Sequence, residues 1–240
     1  MALTATLLTS APDSDSAAVA VALKRAILAD DASPAAQSLA QGAPKPARHL
    51  AAQVAIAAVE TIRHSGLESL QFTPDHILCP LTLSLPDTLS FPGQAIYHSC
   101  QNVSDLQQRV AAQGYDIGDG DLWLPVVLTA KGPLYGEAIA LSEDGSYQQP
   151  VHLSDAQRQP LYRLGRWLLG NLTAPPGVYL LQASCEGSDQ TDDYRTVFQQ
   201  LWPFPAAPAL ASMGRQSPDL FICHWRCLTR QPIRDLQIHP

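Results

Sequence analysis

Ser154-Asp155-Ala156-Gln157, followed by Pro160 and then by Leu161, Leu164, Leu168 and Leu172, is the stretch on which the reading of the fold turns. The serine oxygen can accept an orphan amide of a first helical turn while Gln157 reaches back to the serine N–H, which is a capping box. The leucines repeat at helical spacing and predict one apolar stripe, with Arg158, Arg163 and Arg166 on the other side. Gly165 falls on the stripe. A glycine inside a helix costs about 1 kcal/mol against alanine, so its place there points to a close neighbouring backbone. Gly170-Asn171 and Pro175-Pro176-Gly177 end the helix and turn the chain.

Two strands follow, Val178–Cys185 and Tyr194–Trp202, joined by an acidic loop. On the second, Tyr194, Thr196, Phe198, Gln200 and Trp202 share one face by period-two spacing. The first is apolar on both faces at its start, which predicts a central position. The loop Glu186–Asp193 reads as a solvated hairpin loop, because its carboxylates show no regular ligand spacing.

Upstream, the first 71 residues contain no aromatic residue and no cysteine, and the first aromatic is Phe72. This shift divides the chain into an Ala-rich helical arm, 1–70, and an α+β domain, 71–240. The arm is expected to hold one helix over Asp13–Asp31, a loop with Pro34, Pro44 and Pro46, and a second helix from about Ala47 to His64. In the domain, a turn at Thr73-Pro-Asp-His precedes an edge strand over Ile77–Pro86, and a helix runs from a Ser104 cap to Gly114. A hairpin of Leu122–Ala130 and Leu134–Leu141 comes next, and two last strands cover Asp219–Trp225 and Ile233–Ile238. The fold class is therefore α+β: an antiparallel sheet built from hairpins with one main packed helix, preceded by the Ala-rich helical segment.

The chain has 240 residues with 15 Lys and Arg against 22 Asp and Glu, a net charge of −7. No basic cluster exists to neutralise phosphates along a nucleic acid, so none is expected as partner. No apolar run reaches the roughly 20 residues of a membrane-spanning helix. Met1–Pro12 has no basic n-region, and five cysteines without a repeating pattern fit free thiols in a reducing compartment. The expectation is a cytoplasmic protein.

Several clusters could carry chemistry. Cys223-His224-Trp-Arg-Cys227 offers thiolate and imidazole, the ligands of soft metals, with Cys79, His98, Cys100 or Cys185 as possible completing ligands. The spacing has no second pair, and on a strand Cys223, Trp225 and Cys227 would point away from His224. The reading adopted is buried structural thiols, with no metal and no cofactor. Asp116-Ile-Gly-Asp-Gly-Asp121 has the carboxylate density of a calcium loop without its order, and reads as a solvated turn. Trp202-Pro-Phe204-Pro cannot continue a strand, so Trp202 and Phe204 either plug the core or form a partner-contact loop. There is no G-x-S-x-G, no G-x-x-x-x-G-K-[ST] and no G-x-G-x-x-G opening a helix.

The run Leu201-Trp-Pro-Phe-Pro-Ala-Ala-Pro-Ala-Leu210, with Cys223-His-Trp-Arg-Cys227, resembles uncharacterised cyanobacterial proteins over the C-terminal third. That resemblance implies no activity, cofactor or site. Low charge and missing motifs point to a non-enzymatic interaction protein, an assembly factor, adaptor or regulator binding another protein. The alternative is an enzyme or a cofactor- or metal-binding protein with a cleft between the helical arm and the sheet.

Overall fold

Two contact units divide the chain, Met1–Phe91 and Pro92–Pro240, in a computed structural model that describes residues 4–10, 14–31, 53–61, 76–188 and 193–239. The loop with Pro34, Pro44 and Pro46, the turn at Thr73 and residues 189–192 of the acidic loop lie outside the described residues.

In the first unit, strand β1 (Thr4–Thr9), helix α1 (Ser14–Asp31) and strand β2 (Gln53–Ala58) follow one another, and β3 (His76–Pro80) comes last. The three strands form a parallel sheet in the order β2-β1-β3, with Thr4 opposite both Gln53 and His76. Central β1 buries Leu7 and Leu8 completely, as a strand covered on both faces does. Val19, Leu23, Ala26 and Ile27 are the buried stripe of α1. Across the sheet, Thr6 Oγ1 and His76 Nε2 lie 2.7 Å apart.

The helical-arm expectation is corrected here. The helix over Asp13–Asp31 is present as α1, but the described part of Ala47–His64 begins as β2. Alanine is the best helix former, but the preference is small per residue, and pairing with β1, some fifty residues away, overrides it.

The second unit opens with α2 (Gln94–Gln101) and α3 (Val103–Ala111); Asn102, not Ser104, caps α3 by accepting the Asp105 amide at 3.3 Å. A seven-stranded sheet follows, built from β4 (Asp116–Ile117), β5 (Leu122–Thr129), β6 (Gly132–Tyr135), β7 (Ala138–Leu141), β8 (Tyr147–Val151), β9 (Gly177–Ser188) and β10 (Asp193–Trp202). Its order is β4-β10-β9-β5-β7-β8, with β6 also on β5. All pairs are antiparallel except β4 on β10, which is parallel. The expected second hairpin is real only through β6. At Gly136 the chain leaves, and β7 returns to the other end of β5.

Helix α4 (Asp155–Asn171) carries both bonds of the capping box, Ser154 N–H to Gln157 Oε1 at 2.8 Å and Gln157 N–H to Ser154 Oγ at 3.4 Å. Leu161, Leu164, Gly165 and Leu168 are its buried stripe. A Cβ on Gly165 would meet Val126 Cγ2 at 3.5 Å and Leu181 Cδ2 and Tyr135 Cε1 at 3.9 Å, so the helix lies directly on β5 and β9. After β10 come a 3-10 turn (Ala207–Ser212), β11 (Gln216–Ser217), helix α5 (Leu220–Leu228) and β12 (Gln237–Ile238), which pairs with β11.

Helix α5 stands where a strand was expected. Asp219 Oδ1 accepts the Phe221 and Ile222 amides, both at 2.9 Å, and so caps it. The run Leu-Phe-Ile-Cys-His-Trp is apolar on every side and has no period to distinguish helix from strand. The fold is thus neither a single hairpin sheet nor a one-helix domain, but a parallel sheet and a mixed sheet with α4 and α5 on the latter. No helix among the described residues is long and apolar enough to cross a membrane.

Gly165→Leu is expected to destabilise the protein by about 1–3 kcal/mol through overpacking against Val126 and Leu181. Chemical denaturation of the variant beside the parent checks this; an unchanged midpoint would mean that α4 does not lie on β5 and β9.

Candidate functional site

Strand β9 has β5 on one side and β10 on the other, but β10 pairs only as far as Trp202, opposite Leu180. Beyond it the Val178 amide donates to Nδ1 of His224, 3.1 Å away on α5. A buried backbone N–H left without a partner costs about 1–3 kcal/mol, and His224 removes that cost. Burial pulls the imidazole down to about 4, so at neutral pH it is uncharged with Nδ1 accepting. It is neither a free base nor a ligand pointing outward.

Cys223 and Cys227, one helical turn apart on α5, are both buried, and Cys223 Sγ lies 3.5 Å from the Pro218 carbonyl oxygen. Burial raises Cys227 to about 12, against a smaller opposing effect of a hydrogen bond with the Gly177 backbone. Cys79 and Cys100 are likewise raised to about 12, and Cys185 to about 11. All five cysteines are free thiols, and among the described residues no three His, Cys, Asp or Glu side chains come together to hold a metal ion. His98, on α2, hydrogen-bonds Gln94 on the same helix.

The polar cluster that the sequence reading passed over lies on β9 and β10. A bulge between Phe198 and Gln200 sets Gln200 opposite Gln182. Gln182 Oε1 accepts from Gln200 Nε2 at 2.9 Å and from Trp202 Nε1 at 3.2 Å, while its Nε2 donates to the Gly120 carbonyl at 2.8 Å. The bulged Gln199 accepts the Gly120 amide through Oε1 at 2.8 Å, and its carbonyl accepts from Gln107 of α3 at 2.9 Å. A Cβ on Gly120 would come within 2.6–2.7 Å of the Ala183 backbone. The carboxylates of the Asp116–Asp121 run are exposed, while Gly118 and Gly120 press onto the sheet and Asp116 pairs with Arg195 at 3.3 Å. Arg195 also reaches Glu186 at 3.5 Å, its cross-strand neighbour on β9, where the acidic loop was expected to begin. The signal for the cluster was Gln182 in an apolar stretch of β9 and the Gln199-Gln200 pair in β10.

Of the proposed contact pair, Phe204 is buried, stacked on Tyr97 at 5.9 Å and edge-on to Trp202 at 6.0 Å. It plugs the core, while Trp202 stays half-buried with its indole N–H on Gln182. A groove of about 510 Å³ along α4 is lined by Arg163, Arg166, Trp167, Gly170 and Asn171.

No family model and no curated protein sequence matches the chain. Solved structures do. N5-carboxyaminoimidazole ribonucleotide synthetase from Thermotoga maritima is similar with a TM-score of 0.66 at 8% identity, covering 99% of this chain and 78% of that one. N5-carboxyaminoimidazole synthetase from Staphylococcus aureus, solved with ADP, gives 0.65 at 7% identity over 98% and 80%. Glycinamide-RNase-transformylase T from Mycobacterium tuberculosis gives 0.60 at 17% identity over 96% and 80%. At these identities the likeness is one of fold alone, a parallel sheet and a mixed sheet in place of the hairpin-built α+β domain. The fold is one that enzymes use, and this overturns the expectation of a non-enzymatic, protein-binding adaptor.

Two outcomes are expected. The unfolded chain binds the His224 proton more readily than the native one, so stability is full above about pH 6.5 and falls toward pH 4 by up to about 1.4 kcal/mol per pH unit. His224→Gln, which keeps an acceptor, should flatten that slope in denaturation series, whereas an unchanged slope would contradict the neutral, accepting imidazole. Native protein should react slowly with a thiol reagent, and denatured protein should expose five thiols. A fast-reacting thiol in the native protein would contradict the raised values.

Proposed function

We propose that the chain is an enzyme of the nucleotide-using kind, and that an adenine nucleotide is its ligand. The observation that carries this is the reach of the likeness: 96–99% of the chain follows the three enzymes named above, one of them solved with ADP. That reach takes in residues of both Met1–Phe91 and Pro92–Pro240, so the likeness is not confined to one sheet. This reading is the enzyme alternative drawn from the sequence. A cytoplasmic setting belongs to it, in keeping with five free thiols.

Calorimetric titration of the full chain with ADP and with ATP tests the reading. Saturable one-to-one binding is expected, with the unfolding free energy rising by about 2.7 kcal/mol at a hundredfold excess over Kd. No heat and no stabilisation with either nucleotide at millimolar concentration would overturn it.

A further inference from the structure

A nucleotide asks three things of a protein surface: positive charge for its phosphates, a flat apolar surface for its base, and amide groups at the edge of that base. The outer face of α4 offers all three. Arg163 and Arg166, three residues apart and both exposed, pair with no carboxylate among the described residues, whereas Arg109, Arg158 and Arg195 each hold one. Asp155, the one acidic residue of α4, lies in its first turn and pairs with Arg158 at 3.4 Å. In a chain of net charge −7, the two guanidinium groups are left to draw an anion to this face.

Trp167 is half-buried beside them, and with Arg163, Arg166, Gly170 and Asn171 it lines the groove of about 510 Å³. Small-molecule sites run from roughly 300 to 1,000 Å³. No carboxylate lines the groove. A Cβ added to Gly170 would meet nothing within 4 Å, so the groove is open over that residue. Long helical side chains lean toward the helix N-terminus, which carries the guanidinium groups upstream of Gly170. A phosphate there stays away from the carbonyl end of α4, where the helix dipole would oppose it. Leu161, Leu164, Gly165 and Leu168 are buried on the opposite stripe, so the groove stands on an element held in place.

Resting on the nucleotide reading, we propose that the outer groove of α4 holds the nucleotide, with its phosphates on Arg163 and Arg166 and its base stacked on Trp167. A guanidinium fork takes phosphate oxygens in pairs, and the Asn171 amide can both donate to the base edge and accept from it.

Calorimetric titration of the full chain with ADP, in the parent and in variants of the groove, tests this. Replacing both arginines, Arg163→Gln with Arg166→Gln, is expected to weaken ADP by about tenfold or more. Gly170→Leu fills the open space without touching a charge and should weaken it by about as much, while the thermal midpoint stays near that of the parent. Trp167→Ala should cost about fivefold or more. ADP affinity that stays within about twofold of the parent in both the arginine and the Gly170→Leu variants overturns the groove as the site and leaves the nucleotide reading standing. Absence of ADP binding to the parent overturns both.

Discussion

Strand β9 is the member against which the rest of the larger unit is placed. Its pairing with β5 and β10 buries Val178, Leu180 and Leu181 completely, and a strand so enclosed must settle every backbone amide. Where β10 stops short, His224 takes the amide that would otherwise be orphaned, which fixes α5 at that end. On the α4 side Gly165 faces Val126 and Leu181 at contact distance, and farther along Gly120 lies so close to the backbone of Ala183 that no side chain would fit. Gly120 and the neutral His224, both against a single strand, set the positions of a loop and a helix.

The interior built in this way is polar in places but uncharged. Glutamines tie β9, β10, the Gly120 loop and α3 together, and each bond to a neutral partner contributes about 0.5–1.5 kcal/mol net. Charges in such a position would cost far more to desolvate unless matched by a counter-ion. The described ion pairs lie outside: Asp116, Arg195 and Glu186 are all more than half exposed, so their bridges contribute little to stability.

What the sequence disclosed followed from locality. The capping box, the leucine stripe and the strands on either side of the acidic loop are written within a few residues of one another, and each stands where it was read. Gly165 lies on the buried stripe but faces side chains and not the close backbone expected of it. The parallel sheet is not local: β1 meets β2 and β3 across about fifty and seventy residues, and Ala-rich β2 carries a helical composition. Helix α5 was hidden by an apolar run without a period, although its Asp219 cap was in plain view. The Cys223–Cys227 cluster was legible as buried thiols but placed on the wrong element. The glutamine cluster was missed because Gln182 and Gln200 become neighbours only through a bulge, which no spacing announces.

The account stands most directly on the bond between the Val178 amide and the His224 imidazole. Nitrogen NMR of the 15N-labelled full chain at pH 7 reads the state of that ring in one experiment. The expected result is an uncharged imidazole whose Nδ1 carries no proton and accepts a hydrogen bond. A charged ring, or a proton on Nδ1, would contradict it.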